Sequence, residues 1–118
     1  MKNYKAIVES LIQFHAEEEW FEFKENWFEQ HAIGEYISAI SNAAALRGKE
    51  CGYFIWGVDD EKHEIVGTTV DYQKDYKKEP YQHYLARMIS PDLYFSFHEI
   101  EISGKRVVGK RSVSVRLV

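Results

Sequence analysis

The sequence has little of what disulfide-stabilised, secreted or membrane-spanning proteins contain. It has a single cysteine, Cys51, so it cannot form an internal disulfide, which is typical of a reducing compartment. No apolar run reaches the roughly 18 residues of a transmembrane helix, and the N-terminal residues lack the apolar stretch of a signal peptide. We therefore expect a cytoplasmic protein with no membrane partner.

Several common site motifs are also missing. Gly48, Gly52 and Gly57 do not form a phosphate-binding glycine loop. The five histidines show no metal-ligand spacing. Cys51 has no base next to it in the sequence, which argues against a nucleophilic role. Because these motifs are absent, we look for functional residues among the carboxylates, lysines and aromatic side chains.

The charge balance lacks the excess of basic residues that a general polyanion binder carries, since the net charge is −4. A local basic patch can suffice, however, and two stretches are basic: Lys74, Lys77 and Lys78 in the first, and Lys105, Arg106, Lys110 and Arg111 in the second. Tyrosines are interspersed with the first stretch. Such a mixture can hold phosphates and stack bases, and the alternative is a pair of solvated loops.

The 118 residues fit one domain with a substantial core, because 45% of them are apolar and 15% are aromatic. Residues 20–24 alternate with period two, which predicts a strand with Phe21 and Phe23 facing the core and Glu22 and Lys24 facing the other way. Helical spacing predicts one helix from about 3 to 15 and another from about 31 to 46. Gly48 suits the left-handed end of the second helix.

The remaining elements are mostly strands. Residues 53–58 are apolar without alternation, which predicts a central strand covered on both faces. A second strand at about 64–70, interrupted by Gly67, would form a hairpin with it. An exposed loop at 71–80, a short helix at 81–89 and a turn at 90–92 follow, then strands at 93–102 and about 106–108, and an alternating tail at 112–118. The class is α+β, with a mixed, mostly antiparallel sheet of five to six strands and two to three helices.

The order of these motifs resembles the Schlafen AlbA-like domain family, whose members are often labelled DNA-binding. The family's pieces are an acidic residue before a strand, here Glu17; Glu-Phe-Lys at 22–24; Ile-Ser-Ala-Ile-Ser-Asn at 37–42; a glycine and apolar strand ending Gly-Val-Asp-Asp at 52–60; and Ile-Val-Gly at 65–67. The link between 41 and 52 is longer than is usual in the family and is similar to that of a bacterial subgroup. The tail departs from the family's usual ending.

The resemblance implies one Schlafen AlbA-like domain over residues 1–118 that binds nucleic acid, DNA or RNA. Because such domains often begin larger bacterial regulatory or ATPase-linked proteins, it also implies a fragment or a stand-alone module. Contacts with nucleic acid would come from basic side chains: Lys24, Lys74, Lys77, Lys78, Lys105 and Arg106.

Relatives that cut RNA use three acidic residues, which by position are Glu17, Glu22 and Asp59, with Asp60 as a substitute for the third. The resemblance thus implies a second hypothesis, a ribonuclease in which these carboxylates hold Mg²⁺ or Mn²⁺. The other interpretation of the same residues is a solvated Glu22–Lys24 pair and an ordinary turn at Asp59. A third hypothesis is a protein-interaction module or homodimer, favoured by the small residues of the second helix and the negative net charge.

Overall fold

The computed structural model describes residues 3–14, 19–88 and 93–114. Within these residues the elements are α1 (Tyr4–Leu11), β1 (Phe21–Lys24), α2 (Gln30–Leu46), β2 (Gly52–Trp56), β3 (Asp75–Tyr76), β4 (Glu79–Pro80), α3 (Tyr81–Met88), β5 (Leu93–Ile102) and β6 (Lys105–Ser114). None of the described helices combines the length and apolarity needed to cross a bilayer.

Four of the strands form one sheet in the order β1-β2-β6-β5, and β3 and β4 form a separate small sheet. The pair β1–β2 is parallel, whereas β2–β6 and β5–β6 are antiparallel. The α+β class, the mixed and mostly antiparallel sheet and the three helices are therefore confirmed. The main sheet is smaller than predicted, with four strands among the described residues.

One face of the sheet is covered by α1. The side chain of Asn3 caps this helix by accepting a hydrogen bond from the backbone N–H of Ala6 at 3.1 Å. Val8 and Leu11 of α1 pack against Phe21 and Phe23, which confirms the inward face of β1. The helix ends at Leu11, earlier than predicted, and the predicted limit, His15, lies outside the described residues.

The opposite face is covered by α2 and α3. Ile33, Ile37 and Ile40 of α2 are buried at helical spacing against the sheet, as predicted. The helix spans the predicted range to within one residue, and Gly48 follows it in the left-handed conformation with φ at 70°. The helix α3 begins at Tyr81 as predicted and is described to Met88, and its predicted limit, Ile89, lies outside the described residues.

The central position predicted for the apolar strand is confirmed for β2, which lies between β1 and β6. Phe54 and Trp56 point into the core below α2, and Ile55 points into the core below α1. A strand buried on both faces has no polar side to alternate, which explains its continuous apolar sequence.

The strand predicted at 64–70 is wrong. Within that segment the described backbone forms only one isolated bridge, between Val58 and Ile65. Because β1 and β6 occupy both sides of β2, no edge of β2 is left for a hairpin partner. The segment instead crosses the beginning of β6, where the N–H of Thr68 donates to the carbonyl of Arg106 at 2.9 Å, and Gly67 adopts the left-handed conformation with φ at 86°.

The last strand is longer than predicted. The β5–β6 hairpin turns at Ser103 and Gly104, and its pairing continues from Ile102 with Lys105 to Leu93 with Ser114. Residues 112–114 of the tail thus continue β6 and do not form a strand of their own, whereas 115–118 and the turn at 90–92 lie outside the described residues. The loop predicted at 71–80 contains the small β3–β4 sheet.

Candidate functional site

Lys24 lies between two carboxylates at the end of β1. Its Nζ is 3.5 Å from Oε1 of Glu22 and 3.8 Å from Oδ2 of Asp60. The Lys24 and Glu22 side chains are 25% and 22% exposed, so solvent screens the pair only in part. The site brings Glu22 and Asp60 to one ammonium, and that ammonium is already balanced by negative charge.

Asp59 has a different environment from its neighbour. Its Oδ1 accepts hydrogen bonds from the backbone N–H groups of Glu61 and Lys62, both at 2.8 Å. These two bonds favour the ionised carboxylate and lower the pKa of Asp59 below its ordinary value. One oxygen of Asp59 therefore holds the turn that follows β2.

One of the predicted metal ligands, Glu17, lies outside the described residues. In the part of the chain that the structure describes, no group of three or more His, Cys, Asp or Glu residues could hold a metal ion. Glu22 and Asp60 face an ammonium, and Asp59 is bonded to backbone amides. The described residues alone thus do not form the Mg²⁺ or Mn²⁺ site that the ribonuclease hypothesis requires.

Two side chains of the second basic stretch, Lys105 and Arg106, are engaged within the fold. The Nη1 of Arg106 donates to the carbonyls of Val70 at 2.7 Å and Thr68 at 3.3 Å, and its Nε is bonded to Glu99. The Nζ of Lys105 donates to the carbonyl of Ile65 at 3.1 Å. These two side chains fasten the irregular segment 65–70 to the β5–β6 hairpin, so their nucleic-acid contacts stay a prediction.

The first basic stretch is exposed, and one of its side chains, Lys77, lies over tyrosine rings. Lys77 and Lys78 form the two-residue turn between β3 and β4, both in the left-handed region with φ at 52° and 67°. The Nζ of Lys77 is 5.4 Å from the ring centroid of Tyr76 and 6.0 Å from that of Tyr84. Lys74, Lys77 and Lys78 are all exposed.

Tyr84, which lies below Lys77, and its neighbour Tyr81 are firmly placed. The hydroxyl of Tyr81 donates to the carbonyl of Gln30 at 2.7 Å, and that of Tyr84 is hydrogen-bonded to Nδ1 of His31 at 2.9 Å. Burial raises the pKa of both phenols, and the neighbouring Tyr76 raises that of Tyr84 further. Both phenols stay neutral at physiological pH, and the ring face of Tyr84 favours the Lys77 cation that lies above it.

Sequence reasoning missed Arg87, whose guanidinium carbon is 5.8 Å from the Tyr84 ring centroid. The spacing of three residues within a predicted helix could have indicated this contact. Trp27 and Tyr36 were missed too. Both are exposed, and their ring centroids are 5.5 Å apart. No pattern in the sequence joins them, because one precedes α2 and the other lies inside it.

This arrangement combines an α+β domain with exposed lysines above neutral aromatic rings. A comparison with family models matches residues 17–113 to the family described as Schlafen, AlbA_2. Since this match covers most of the chain, the chain belongs to the Schlafen, AlbA_2 family, as its motifs indicated, and at the level of the family this supports a nucleic-acid-binding role. A comparison with curated proteins found no match.

Proposed function

We propose that the protein binds nucleic acid, DNA or RNA, and that the phosphate backbone is held by the lysine hairpin, which we define as Lys74 together with β3, the Lys77–Lys78 turn and β4. The observation that carries this proposal is the turn itself. Both of its lysines are exposed, and the ammonium of Lys77 lies above two tyrosine rings. The hairpin carries three lysines against Asp75 and Glu79, and Glu79 is paired with Arg87, so in a chain of net charge −4 the exposed turn presents positive charge.

The hairpin suits phosphate contact better than a flexible basic loop would. Its two strands pair Asp75 with Pro80 and Tyr76 with Glu79, so the turn has a defined direction. Tyr76 also contacts Tyr84 with ring centroids 4.6 Å apart, which joins the hairpin to α3. The lysines are thus attached to packed structure, and less conformational freedom is lost when they meet phosphates.

The other predicted basic residues have closer partners within the protein. Arg106 and Lys105 donate to backbone carbonyls, and Lys24 is neutralised by Glu22 and Asp60. Arg87 at the edge of the hairpin forms an ion pair with Glu79 at 3.0 Å. We therefore assign the main phosphate contacts to Lys74, Lys77 and Lys78.

The test is a binding titration with single-stranded RNA and with duplex DNA over a range of salt concentrations. Removing one lysine–phosphate pair should reduce the slope of log affinity against log salt by about 0.7 for single strands or about 0.9 for duplex. The variant with Lys74, Lys77 and Lys78 all changed to Gln should therefore have a slope smaller by about 2 for single strands or about 3 for duplex. A control with the same charge change elsewhere, at Lys5, Lys49 and Lys62, should keep most of the wild-type slope.

Equal slopes for the two triple variants would show that the hairpin has no special role. The absence of any salt-sensitive binding at low salt would overturn the proposal altogether. In that case, dimer formation measured by sedimentation would favour the third hypothesis, a homodimeric interaction module.

The second candidate function, a metal-dependent ribonuclease, is supported by one observation, the convergence of Glu22 and Asp60 on Lys24. The same titration with Mn²⁺ present should therefore follow strand integrity as well as mobility. Cleavage that vanishes in Glu22→Gln would establish a nuclease. Binding without cleavage would leave the nucleic-acid-binding module.

A further inference from the structure

We propose that Trp27 and Tyr36 form a stacking site for an unpaired base of the nucleic acid whose phosphates the lysine hairpin holds. This inference rests on the proposed function and makes it more specific, because it assigns a single-stranded ligand. We call the two exposed rings, together with the Phe54 ring beneath them, the aromatic ledge.

The rings of the aromatic ledge support one another. The centroid of Trp27 is 5.5 Å from that of Tyr36 at an interplanar angle of 71°, and 6.3 Å from that of Phe54 at 24°. Tyr36 meets Phe54 edge-on at 5.7 Å. Phe54 is buried, whereas Trp27 and Tyr36 are 39% and 38% exposed. A buried ring therefore supports two exposed rings that are available for stacking.

The backbone of Trp27 is also held in place. Its carbonyl accepts a hydrogen bond from Nε1 of Trp56 at 2.7 Å, and Trp56 is fully buried. The next residue, Phe28, packs against Trp56 with ring centroids 5.5 Å apart. Because Trp27 is already ordered, little conformational entropy remains to be lost when a base stacks on it.

The charges near the aromatic ledge favour an uncharged ligand. Strand register places Glu22 beside Phe54 and Lys24 beside Trp56, on the face of the sheet that carries the ledge. The ammonium of Lys24 is balanced by Glu22 and Asp60. A phosphate placed here would be repelled by the Glu22 and Asp60 carboxylates, since the Lys24 ammonium is already paired with both. A base offers a neutral ring face, and every base can stack on indole and phenol rings.

The aromatic ledge and the lysine hairpin are joined through the core by two aromatic side chains, Phe28 and the buried Tyr81. Phe28 follows Trp27 directly and contacts Tyr81 with ring centroids 5.3 Å apart. Tyr81 in turn contacts Tyr76 of the hairpin at 6.2 Å. These core contacts fix the two sites relative to one another. In the proposed complex the lysines hold phosphates and Trp27 stacks a base, which separates positioning contacts from base contacts.

The test compares Trp27→Leu, which removes the ring, with Trp27→Phe, which keeps one, using a short single-stranded oligonucleotide and a duplex of matching sequence. Trp27→Leu should weaken single-strand binding on the order of tenfold, Trp27→Phe should recover most of this loss, and duplex binding should not change. Leu46→Ala removes another exposed apolar side chain, of 86% exposure, from α2 and should have no effect.

A second measurement on the wild-type protein does not depend on how the variants fold. The indole N–H signal of Trp27, identified in an NMR spectrum by its absence in Trp27→Phe, should move when the single strand is added. Salt-sensitive binding with an unmoved Trp27 signal and full affinity in Trp27→Leu would overturn the stacking site and leave the proposed function. Equal losses for duplex and single strand would overturn the assignment of an unpaired base. The absence of any binding would overturn both proposals.

Discussion

Two hairpins of this protein turn through the same left-handed backbone conformation with different residues. The β5–β6 turn uses Ser103 and Gly104 with φ at 52° and 77°, and the β3–β4 turn uses Lys77 and Lys78 at 52° and 67°. Two-residue turns of this kind favour Asn and Gly, since most side chains resist positive φ. The Lys77–Lys78 turn is thus not the sequence that stability alone would favour. Compared with Asn and Gly, the two lysines add a pair of exposed ammonium groups.

The largest expected effect lies close to the turn of the β5–β6 hairpin. Arg106→Gln removes the guanidinium that donates to the carbonyls of Thr68 and Val70 and is bonded to Glu99. Charge-assisted bonds of this kind contribute more than neutral ones, but the side chain is 35% exposed, so we expect a loss of about 2 kcal/mol in the free energy of unfolding. Urea denaturation would measure this loss.

The salt dependence of nucleic-acid binding should be unchanged in Arg106→Gln. The neighbouring change Lys105→Gln is the control, because it removes the same charge and one exposed bond, and it should cost less than about 0.5 kcal/mol. Full stability with a reduced salt slope in Arg106→Gln would reassign Arg106 to the nucleic-acid interface, as the sequence had predicted.

The next largest effect is expected when the residue types of the β3–β4 and β5–β6 turns are exchanged. Lys77→Asn combined with Lys78→Gly should raise the free energy of unfolding by about 0.5–1 kcal/mol and weaken nucleic-acid binding, since it relieves the turn and removes two ammonium groups. Gly104→Lys should lower the free energy of unfolding by about 1 kcal/mol and leave binding intact. Urea denaturation would measure the changes in the free energy of unfolding, and a salt titration would measure the changes in nucleic-acid binding. A relieved β3–β4 turn that binds as well as the wild type would remove the functional reason for its lysines.

The same contrast shows which parts of the structure can be predicted from sequence. The alternation in β1 and the helical spacing of Ile33, Ile37 and Ile40 predicted their elements because each pattern reports one buried face. The strand at 64–70 was wrong because its local pattern cannot show that both edges of β2 are already occupied. The β3–β4 pair was missed since two residues per strand are too few to show a period.

The candidate site was less predictable than the fold for a related reason. Basic residues are visible in a sequence, but their partners are not. Arg106 donates to carbonyls of segment 65–70, which has little strand pairing of its own. The sequence does not show that these carbonyls need a donor, because it predicts a regular strand there. The contact of Trp27 with Tyr36 likewise depends on how α2 lies on the sheet.

The smallest expected effect concerns a third turn, which a carboxylate stabilises without any positive φ at Asp59. Its bonds from the N–H groups of Glu61 and Lys62 lower its pKa in the folded state, so they stabilise the fold above the ordinary aspartate pKa and are lost as the pH falls through the folded-state pKa. Asp59→Ala should therefore be slightly less stable than the wild type near neutral pH, and the difference should shrink in acid. Denaturation from about pH 7 to about pH 3 would measure this.

The control for this prediction is Asp59→Asn, which keeps an acceptor oxygen for the turn but does not titrate, so the wild type should be more stable than this variant near neutral pH and should approach its stability in acid. A wild-type advantage over Asp59→Ala that stays constant into acid would contradict the role of the ionised carboxylate. The same variant sharpens the ribonuclease hypothesis. If any cleavage survived Asp59→Asn and vanished in Asp60→Asn, the third acid would be Asp60, the carboxylate that already faces Lys24 and Glu22, and not the one committed to the turn.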